Sequence, residues 1–431
     1  MTADRGHAPE TAATPATRWA AVAAVMAAGL AIALNVGKVP VALPALRAEF
    51  GLTLVQAGWI SSMLTTVALV LAATVGMWVG RLGALRMVLA GLVIGALASL
   101  AALAASDYAA LLAARLAEGL GFMIVAVACP ALVTAATAGA DRRFALGMWS
   151  AYMPAGASLA MASAPWLLPR TGWHGMWVGT ALALLLAAAA LWTLRARFDA
   201  TARPGHAVAA DGGSGGSFLG PVRAALAQPL PWLLALAFGM WATQHFALIV
   251  WMPTYLLEER GLTPGPVALL TGGMLVACVP GNLLGGWLVQ QGVRRGRMIA
   301  LAQLLTGLQA VGYSTEVLPD GLRYALAVGV SFTGGVIPAA VMASSTVLAR
   351  TPQQIGTLQG LFMQGAQIGQ FLGTPLVAAV VAASGRWSHA LAVSGSAALI
   401  GVALGLAAQR LEDRLAARGA PAAGSAAARP G

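Results

Sequence analysis

The chain has 431 residues, 59% of them hydrophobic and only 9% charged, too little polar surface to cover a water-soluble globule of that length. Its formal charge of +11 does not point to a nucleic-acid partner, because the excess sits in short breaks between apolar runs, where membrane orientation accounts for it. The two cysteines, Cys129 and Cys278, fall inside apolar runs, where a thiol packs as a small hydrophobe, which argues against a disulfide framework, a metal cluster or redox chemistry.

From Trp19 to about Arg410 the sequence alternates apolar stretches of ~20 residues with short polar or arginine-bearing breaks, the pattern of a chain that crosses a membrane repeatedly. The first eighteen residues hold Asp4, Pro9 and Glu10 among their arginines, and no small-residue cleavage site closes the next run. A removable signal peptide is therefore not expected, and Trp19 opens the first span. Twelve spans read as 19–44, 56–79, 86–105, 108–136, 143–168, 173–194, 230–256, 264–290, 297–315, 321–348, 354–383 and 387–409.

With a cytoplasmic amino terminus, the inside segments carry eighteen arginines and the outside segments five: Arg47, Arg170, Arg260, Arg323 and Arg386. This positive-inside asymmetry, with an even number of spans, puts both termini in the cytoplasm and the protein in the cytoplasmic (inner) membrane. Trp59, Trp166, Trp173, Trp251 and Trp387 fall near outer ends, and Trp19, Trp78, Trp192 and Trp287 near inner ends, as interfacial anchors do.

The longest break, 195–228, contains the Gly/Ser-rich run His206 to Phe218, a flexible linker by composition. It separates a six-helix bundle at 19–194 from a second at 229–409, with cytoplasmic tails at 1–18 and 410–431. The halves echo each other. Leu43-Pro44 leads to Gly51-Leu52-Thr53 as Met252-Pro253 leads to Gly261-Leu262-Thr263, and Gly76-Met77-Trp78 with Gly83 is matched by Gly285-Gly286-Trp287 with Gly292, at an offset of about 210 residues. A parallel repeat of six helices implies two pseudo-symmetric bundles with a substrate site between them near the midplane.

Two motifs carry a family resemblance. The second break, Gly76-Met-Trp-Val-Gly80-Arg81-Leu-Gly83-Ala-Leu-Arg86, resembles the loop motif of the major facilitator superfamily, and Arg115-Leu-Ala-Glu118-Gly119-Leu-Gly121 is similar to its fourth-span motif. The resemblance implies an all-α integral membrane fold of twelve helices in two bundles, with Gly76, Arg81, Gly83 and Arg86 in a cytoplasmic gate loop. Gly80 stands where the family motif carries an acid, so the latch is weaker or built from Asp141. The fifth span, with Gly147 and Tyr152-Met-Pro154-Ala-Gly156, only partly matches the glycine-proline run of proton-coupled drug exporters. The runs Lys38 to Pro44, Trp149 to Pro154 and Trp251 to Leu256 look most like the cyanate and nitroimidazole permease group.

Ionisable groups inside a membrane are costly and are functional candidates by default. Arg115 lies eight residues past Asp107, ~12 Å into its span, with Glu118 one turn on along the same face. Two roles fit the pair: an anion contact with a proton-sensitive partner, or a static ion pair beside close-packing glycines. Lys38, with Asn35 on the same face, either contacts ligand or reaches outward to the interface. Gln244 and His245 occupy mid-span positions, His245 as a proton carrier or as a side chain satisfied by the next helix.

In the eleventh span Gln364, Gln367 and Gln370 share a drifting face; Gln359 reads as interhelical glue and Gln367 as a cavity residue. Trp149, Tyr152 and Trp241 serve either core packing or an aromatic cavity. Tyr255 and Asn282 are weaker candidates. No zincin, Cys-x-x-Cys or Walker sequence occurs, so an enzyme or an ATP-driven pump is not expected. The expectation is a monomeric, cofactor-free carrier driven by a proton or other ion gradient. It moves a small organic or inorganic anion by alternating access and needs a lipid bilayer but no metal or nucleic acid. The alternatives are a drug-type efflux carrier for neutral or cationic lipophilic compounds, and a channel.

Overall fold

A computed structural model describes residues 16–138, 141–199, 223, 226–349 and 352–419. The Gly/Ser run, most of the amino-terminal tail and the end of the carboxy-terminal tail lie outside the described residues. The chain folds into helices α1 (Trp19–Phe50), α2 (Leu54–Leu82), α3 (Ala84–Ala102), α4 (Tyr108–Ala136), α5 (Arg142–Ser150), α6 (Tyr152–Thr193) and α7 (Ala196–Asp199). These are followed by α8 (Pro229–Glu258), α9 (Pro264–Gln290), α10 (Arg295–Ser314), α11 (Asp320–Gly334), α12 (Val336–Leu348), α13 (Pro352–Ser384), a 3₁₀ turn (Trp387–Ala390) and α14 (Leu391–Gly419).

Ten stretches are long and apolar enough to cross a bilayer. One of them, 144–193, is two crossings: Gly172 has φ 59° and ψ −162°, and beyond it the chain turns back so that Ser163 Oγ meets Met176 Sδ at 3.8 Å. The helix Arg295–Ser314, diluted by Gln303 and Gln309, supplies the remaining crossing, for twelve in all. Leu186, Leu283 and Leu399 each stand 70% exposed, an arrangement suited to lipid and not to water.

Local signals set the helix ends. Thr53 and Gln56 form a reciprocal capping box at the start of α2, and Asp107 Oδ1 accepts from the Ala110 amide at 2.8 Å at the start of α4, satisfying amides that a helix start leaves open. The repeated glycines end equivalent helices. Gly51 and Gly261 both have φ 62°, and Gly83 and Gly292 have φ 90° and 78°, so the sequence echo marks turns that residues with a Cβ rarely adopt.

The structure corrects the sequence reading in two places, the end of the first span and the role of two tryptophans. The helix expected to stop at 44 runs through Pro40 and Pro44 to Phe50. The span 321–348 crosses as one stretch, Asp320–Ser345, two helices meeting at Gly335, which keeps helical φ −56° and ψ −23° and where a Cβ would lie 2.7 Å from the Cys278 carbonyl oxygen. Trp173 and Trp251 are 2% and 3% exposed, so they are not interfacial anchors; their indoles donate to Glu49 Oε2 at 2.7 Å and the Thr374 carbonyl at 3.0 Å. Trp19, Trp78, Trp166, Trp192 and Trp287 are exposed.

Close helix approach rests on small residues. Gly365, Gly369 and Gly373 of α13 pack on Ala235, Gly239 and Thr243 of α8. A Cβ at Gly365 or Gly369 would sit 2.1 Å from a carbonyl oxygen of α8, and one at Gly373 2.5 Å from another. Small residues let backbones touch where lipid supplies no hydrophobic drive. The halves meet through α1 with α8, α2 with α13 and α6 with α9. The described contacts joining them include Arg47 with Glu258, Trp59 with Phe371, Ser158 with the Gly272 carbonyl and Gln364 with the Leu69 carbonyl.

Candidate functional site

The deepest charges form one cluster inside the first half. Glu118 Oε1 accepts from Lys38 Nζ at 2.6 Å and from Ser99 Oγ at 2.7 Å, and Oε2 pairs with Arg115. Lys38 Nζ also donates to Ser99 Oγ at 2.9 Å and lies 4.4 Å from the centroid of the Trp177 ring. Asn35 and Ser99 lie 3.4 Å apart, Nδ2 of Asn35 turning back to the Ile32 carbonyl at 3.3 Å. Asn35, Lys38 and Glu118 are 0% exposed and Arg115 is 1% exposed.

Helix geometry explains the convergence. Lys38 does not reach the interface, because α1 continues twelve residues past it, ~18 Å at helical rise, well beyond the length of a lysine stem. Arg115 and Glu118 share a face of α4 at i and i+3, and Ser99 and Trp177 arrive from α3 and α6. Two basic side chains face one carboxylate in a low-dielectric interior, where an uncompensated charge is expensive. Arg115 Nε and Nη2 donate to the carbonyls of Ile60 on α2 and Asn35 on α1, at 3.2 and 3.3 Å. These are two of the first-half helices that touch the second half.

The remaining candidates fall in separate places. Trp149 stacks on Tyr152 with centroids 4.2 Å apart, the indole lying against Gly29 of α1. Trp241 stacks on His245 at 4.8 Å within the second half. Among the described residues no ring contact joins these two stacks, so they do not form one aromatic cage. His245 Nε2 lies 3.1 Å from Ser331 Oγ on α11, the satisfied-by-a-neighbour arrangement. Gln244 donates to Gln303 Oε1 at 2.7 Å, and Gln303 donates to the Ala237 carbonyl at 2.9 Å.

Gln359 bonds Ser345 within its own half at 3.3 Å. Gln364 reaches across to α2, and Phe371, seven residues on, meets Trp59 with centroids 5.1 Å apart. Gln367 shares that face by helical spacing, and its buried Oε1 has no hydrogen-bond partner among the described residues. Tyr255 accepts from Arg260 and Arg323 at 2.8 and 2.7 Å, and Asn282 donates to Cys278 Sγ at 3.6 Å.

In the expected gate loop, Gly76 and Arg81 lie on α2, Gly83 forms the turn and Arg86 lies on α3. Arg81 and Arg86 are exposed, and among the described residues neither forms an ion pair. Asp141 Oδ2 accepts from Thr17 Oγ1 at 2.5 Å, tying the chain before α1 to the loop before α5. The sequence singles out none of Ser99, Trp177, Gln303 and Ser331. Each is a common membrane-helix residue with no motif around it, and only a deep charge or amide on a facing helix could have suggested it.

The model of the Major Facilitator Superfamily matches residues 23–374. The chain belongs to that superfamily. A gallate transporter of Pseudomonas putida is 26% identical over 372 residues, covering 78% of this chain and 82% of the relative. A methylenomycin A resistance protein of Streptomyces coelicolor is 26% identical over 442 residues, covering 90% and 91%.

Two crystal structures of a bacterial homologue of the human lysosomal transporter Spinster share the major facilitator fold with this chain. The inward-facing, unoccupied form has a TM-score of 0.77 at 16% identity, covering 92% of this chain and 98% of that one. The inward-facing, occupied form has a TM-score of 0.76 at 15% identity, covering 97% and 100%. As a member of the superfamily the chain is a multi-pass membrane transporter and not an enzyme.

Proposed function

We propose that this superfamily member is a gradient-driven carrier of a small organic anion that works by alternating access between its halves. It acts in the cytoplasmic membrane with both termini inside. The observation that carries the reading is that two basic side chains, Lys38 and Arg115, share the single carboxylate of Glu118 directly behind α1 and α2, so that with both protonated the cluster holds an excess positive charge. An anion between the halves is attracted by that charge through a medium that screens it weakly. Protonating Glu118 removes the one counter-charge and raises the attraction, which links solute binding to a proton gradient. Asn35 and Ser99 hold the cluster's geometry, and Gln367, with a spare buried acceptor, contacts the solute's donor groups.

Among organic anions, an aromatic carboxylate is favoured by the likeness to a gallate transporter. The resemblance to cyanate and nitroimidazole permeases rests on short sequence runs alone and ranks behind it. On this reading Trp149 and Tyr152 line the first-half wall of the path, whereas Trp241, Gln244 and His245 brace the second half. Gly76, Arg81, Gly83 and Arg86 form the cytoplasmic gate loop. The likeness to a methylenomycin A resistance protein favours the rival reading, export of a lipophilic drug.

Counterflow in proteoliposomes separates these readings. Labelled gallate should accumulate with saturation, be competed by carboxylates and not by lipophilic cations, and fail in Arg115→Ala. Full anion transport by that variant, or competition by lipophilic cations alone, refutes the anion reading. Flux without saturation or countertransport would indicate a channel.

A further inference from the structure

The second half encloses a chamber of about 320 Å³ that opens, at the end where Arg47 meets Glu258, into a vestibule of about 430 Å³. All the lining residues belong to the second half, so the chamber is not the path between the bundles. It is reachable from that end without separating the halves. Its walls are apolar and aromatic, with Trp251, Leu270, Tyr313, Tyr324, Trp387 and Val393 prominent. Its volume suits a small organic ligand.

The polar groups are concentrated at the two ends. At the mouth, the buried Arg323 donates from Nε to the Tyr313 carbonyl at 3.0 Å, from Nη1 to Asp320 Oδ1 at 3.2 Å and from Nη2 to the Tyr255 hydroxyl at 2.7 Å. Arg260 Nε donates to the same hydroxyl at 2.8 Å. A guanidinium carries about five N–H donors, so both arginines retain donors, and a tyrosine accepting two bonds keeps its own proton for a third group. Asp320, 71% exposed, pairs through Oδ1 with Arg323 at 3.2 Å and Arg260 at 3.6 Å, and Glu259 and Glu316 line the vestibule with Arg386. At the floor, Gln244 is buried and its Oε1 has no partner among the described residues. Gln244 and Tyr255 are eleven residues apart on α8, ~16 Å at helical rise.

We infer that this chamber is a second ligand site, separate from the transport path, for an elongated amphipathic aromatic monoanion. Its acid group lies among Tyr255, Arg260 and Arg323, and its ring lies against Trp251 and Trp387. Convergent donors at one end of an aromatic slot recognise a carboxylate or an anionic lipid headgroup alike.

Calorimetric titration of the purified full chain with 3-phenylpropanoate and its isostere 3-phenylpropylamine tests this. The acid should bind saturably and the amine at least about tenfold more weakly. Tyr255→Phe, which preserves shape, should weaken the acid by about tenfold, the worth of one charge-assisted hydrogen bond. Val393→Trp should abolish binding in the chamber by filling the slot, and Gln359→Ala, outside both the chamber and the proposed transport path, should leave it unchanged. If Val393→Trp does not fold, the Tyr255→Phe comparison alone decides. Equal binding of acid and amine, or binding that resists Tyr255→Phe and falls with Gln367→Ala in the proposed transport path, overturns the inference. In nanodiscs, loss of acid binding in phosphatidylglycerol but not in phosphatidylcholine identifies an anionic lipid as occupant of the same site. Binding in both identifies a free acid.

Discussion

Arg47 Nη1 lies 2.6 Å from Glu258 Oε1 and joins the two halves at the ends of α1 and α8. In the repeat, Glu258 holds the place that Glu49 holds in the first half, yet Glu49 stays within its own half on the Trp173 indole at 2.7 Å. One duplicated acid thus braces a bundle while its twin latches the two together.

The latch is partly exposed on both sides, so it contributes little stability, about 0–1 kcal/mol, and acts on conformational balance. We expect Glu258→Gln to leave the melting temperature within a few degrees while increasing thiol labelling of a cysteine placed at Phe371. The charge swap Arg47→Glu with Glu258→Arg should restore protection. Unchanged labelling in Glu258→Gln would show that the pair does not hold this end together.

Removing Glu118 and removing Lys38 should differ. Glu118→Gln leaves two buried cations without a carboxylate and should destabilise by about 3–5 kcal/mol, whereas Lys38→Met leaves the Arg115 and Glu118 pair balanced and should fold. Thermal melting in detergent orders the two variants. A Lys38→Met protein that melts below Glu118→Gln contradicts the charge accounting.

The seam between α8 and α13 has no room for a methyl group. Gly369→Ala should cost about 1–3 kcal/mol through overpacking, while Gly360→Ala, with open space at its Cβ position, should be neutral or slightly stabilising. Equal melting of the two proteins would mean that the seam relaxes freely.

Gln367→Ala should raise the KM for the transported anion about tenfold, a loss of ~1.4 kcal/mol of binding, with little change in melting temperature. Gln359→Ala loses only the bond to Ser345, ~0.6 kcal/mol, and should transport normally. Initial rates of uptake against substrate concentration distinguish a binding role from a structural one.

The twelve crossings and the repeat were legible because lipid demands long apolar runs and because Gly51, Gly83, Gly261 and Gly292 mark turns that tolerate few other residues. The pairing of Arg115 with Glu118 followed from helical spacing on one element. The inward course of Lys38 did not, because it depends on how far α1 continues past two prolines and on acceptors 61 and 80 residues away. The burial of Trp173 and Trp251 was hidden for a similar reason: a tryptophan near a helix end suits headgroups and tertiary packing equally until its neighbours are known.

Because Lys38 finds its carboxylate 80 residues later in the chain, the first helix enters the bilayer before its partner exists. At ~5–20 residues per second the lysine waits roughly 4–16 s for α4, at an insertion cost of about 2.5–3.5 kcal/mol if it sits near the bilayer centre. The ribosome therefore delivers an unfinished half whose opening segment is poorly held by lipid alone. Chains truncated before Tyr108 should insert α1 more completely when Lys38 is replaced by methionine, and glycosylation tags on the flanking segments would report it.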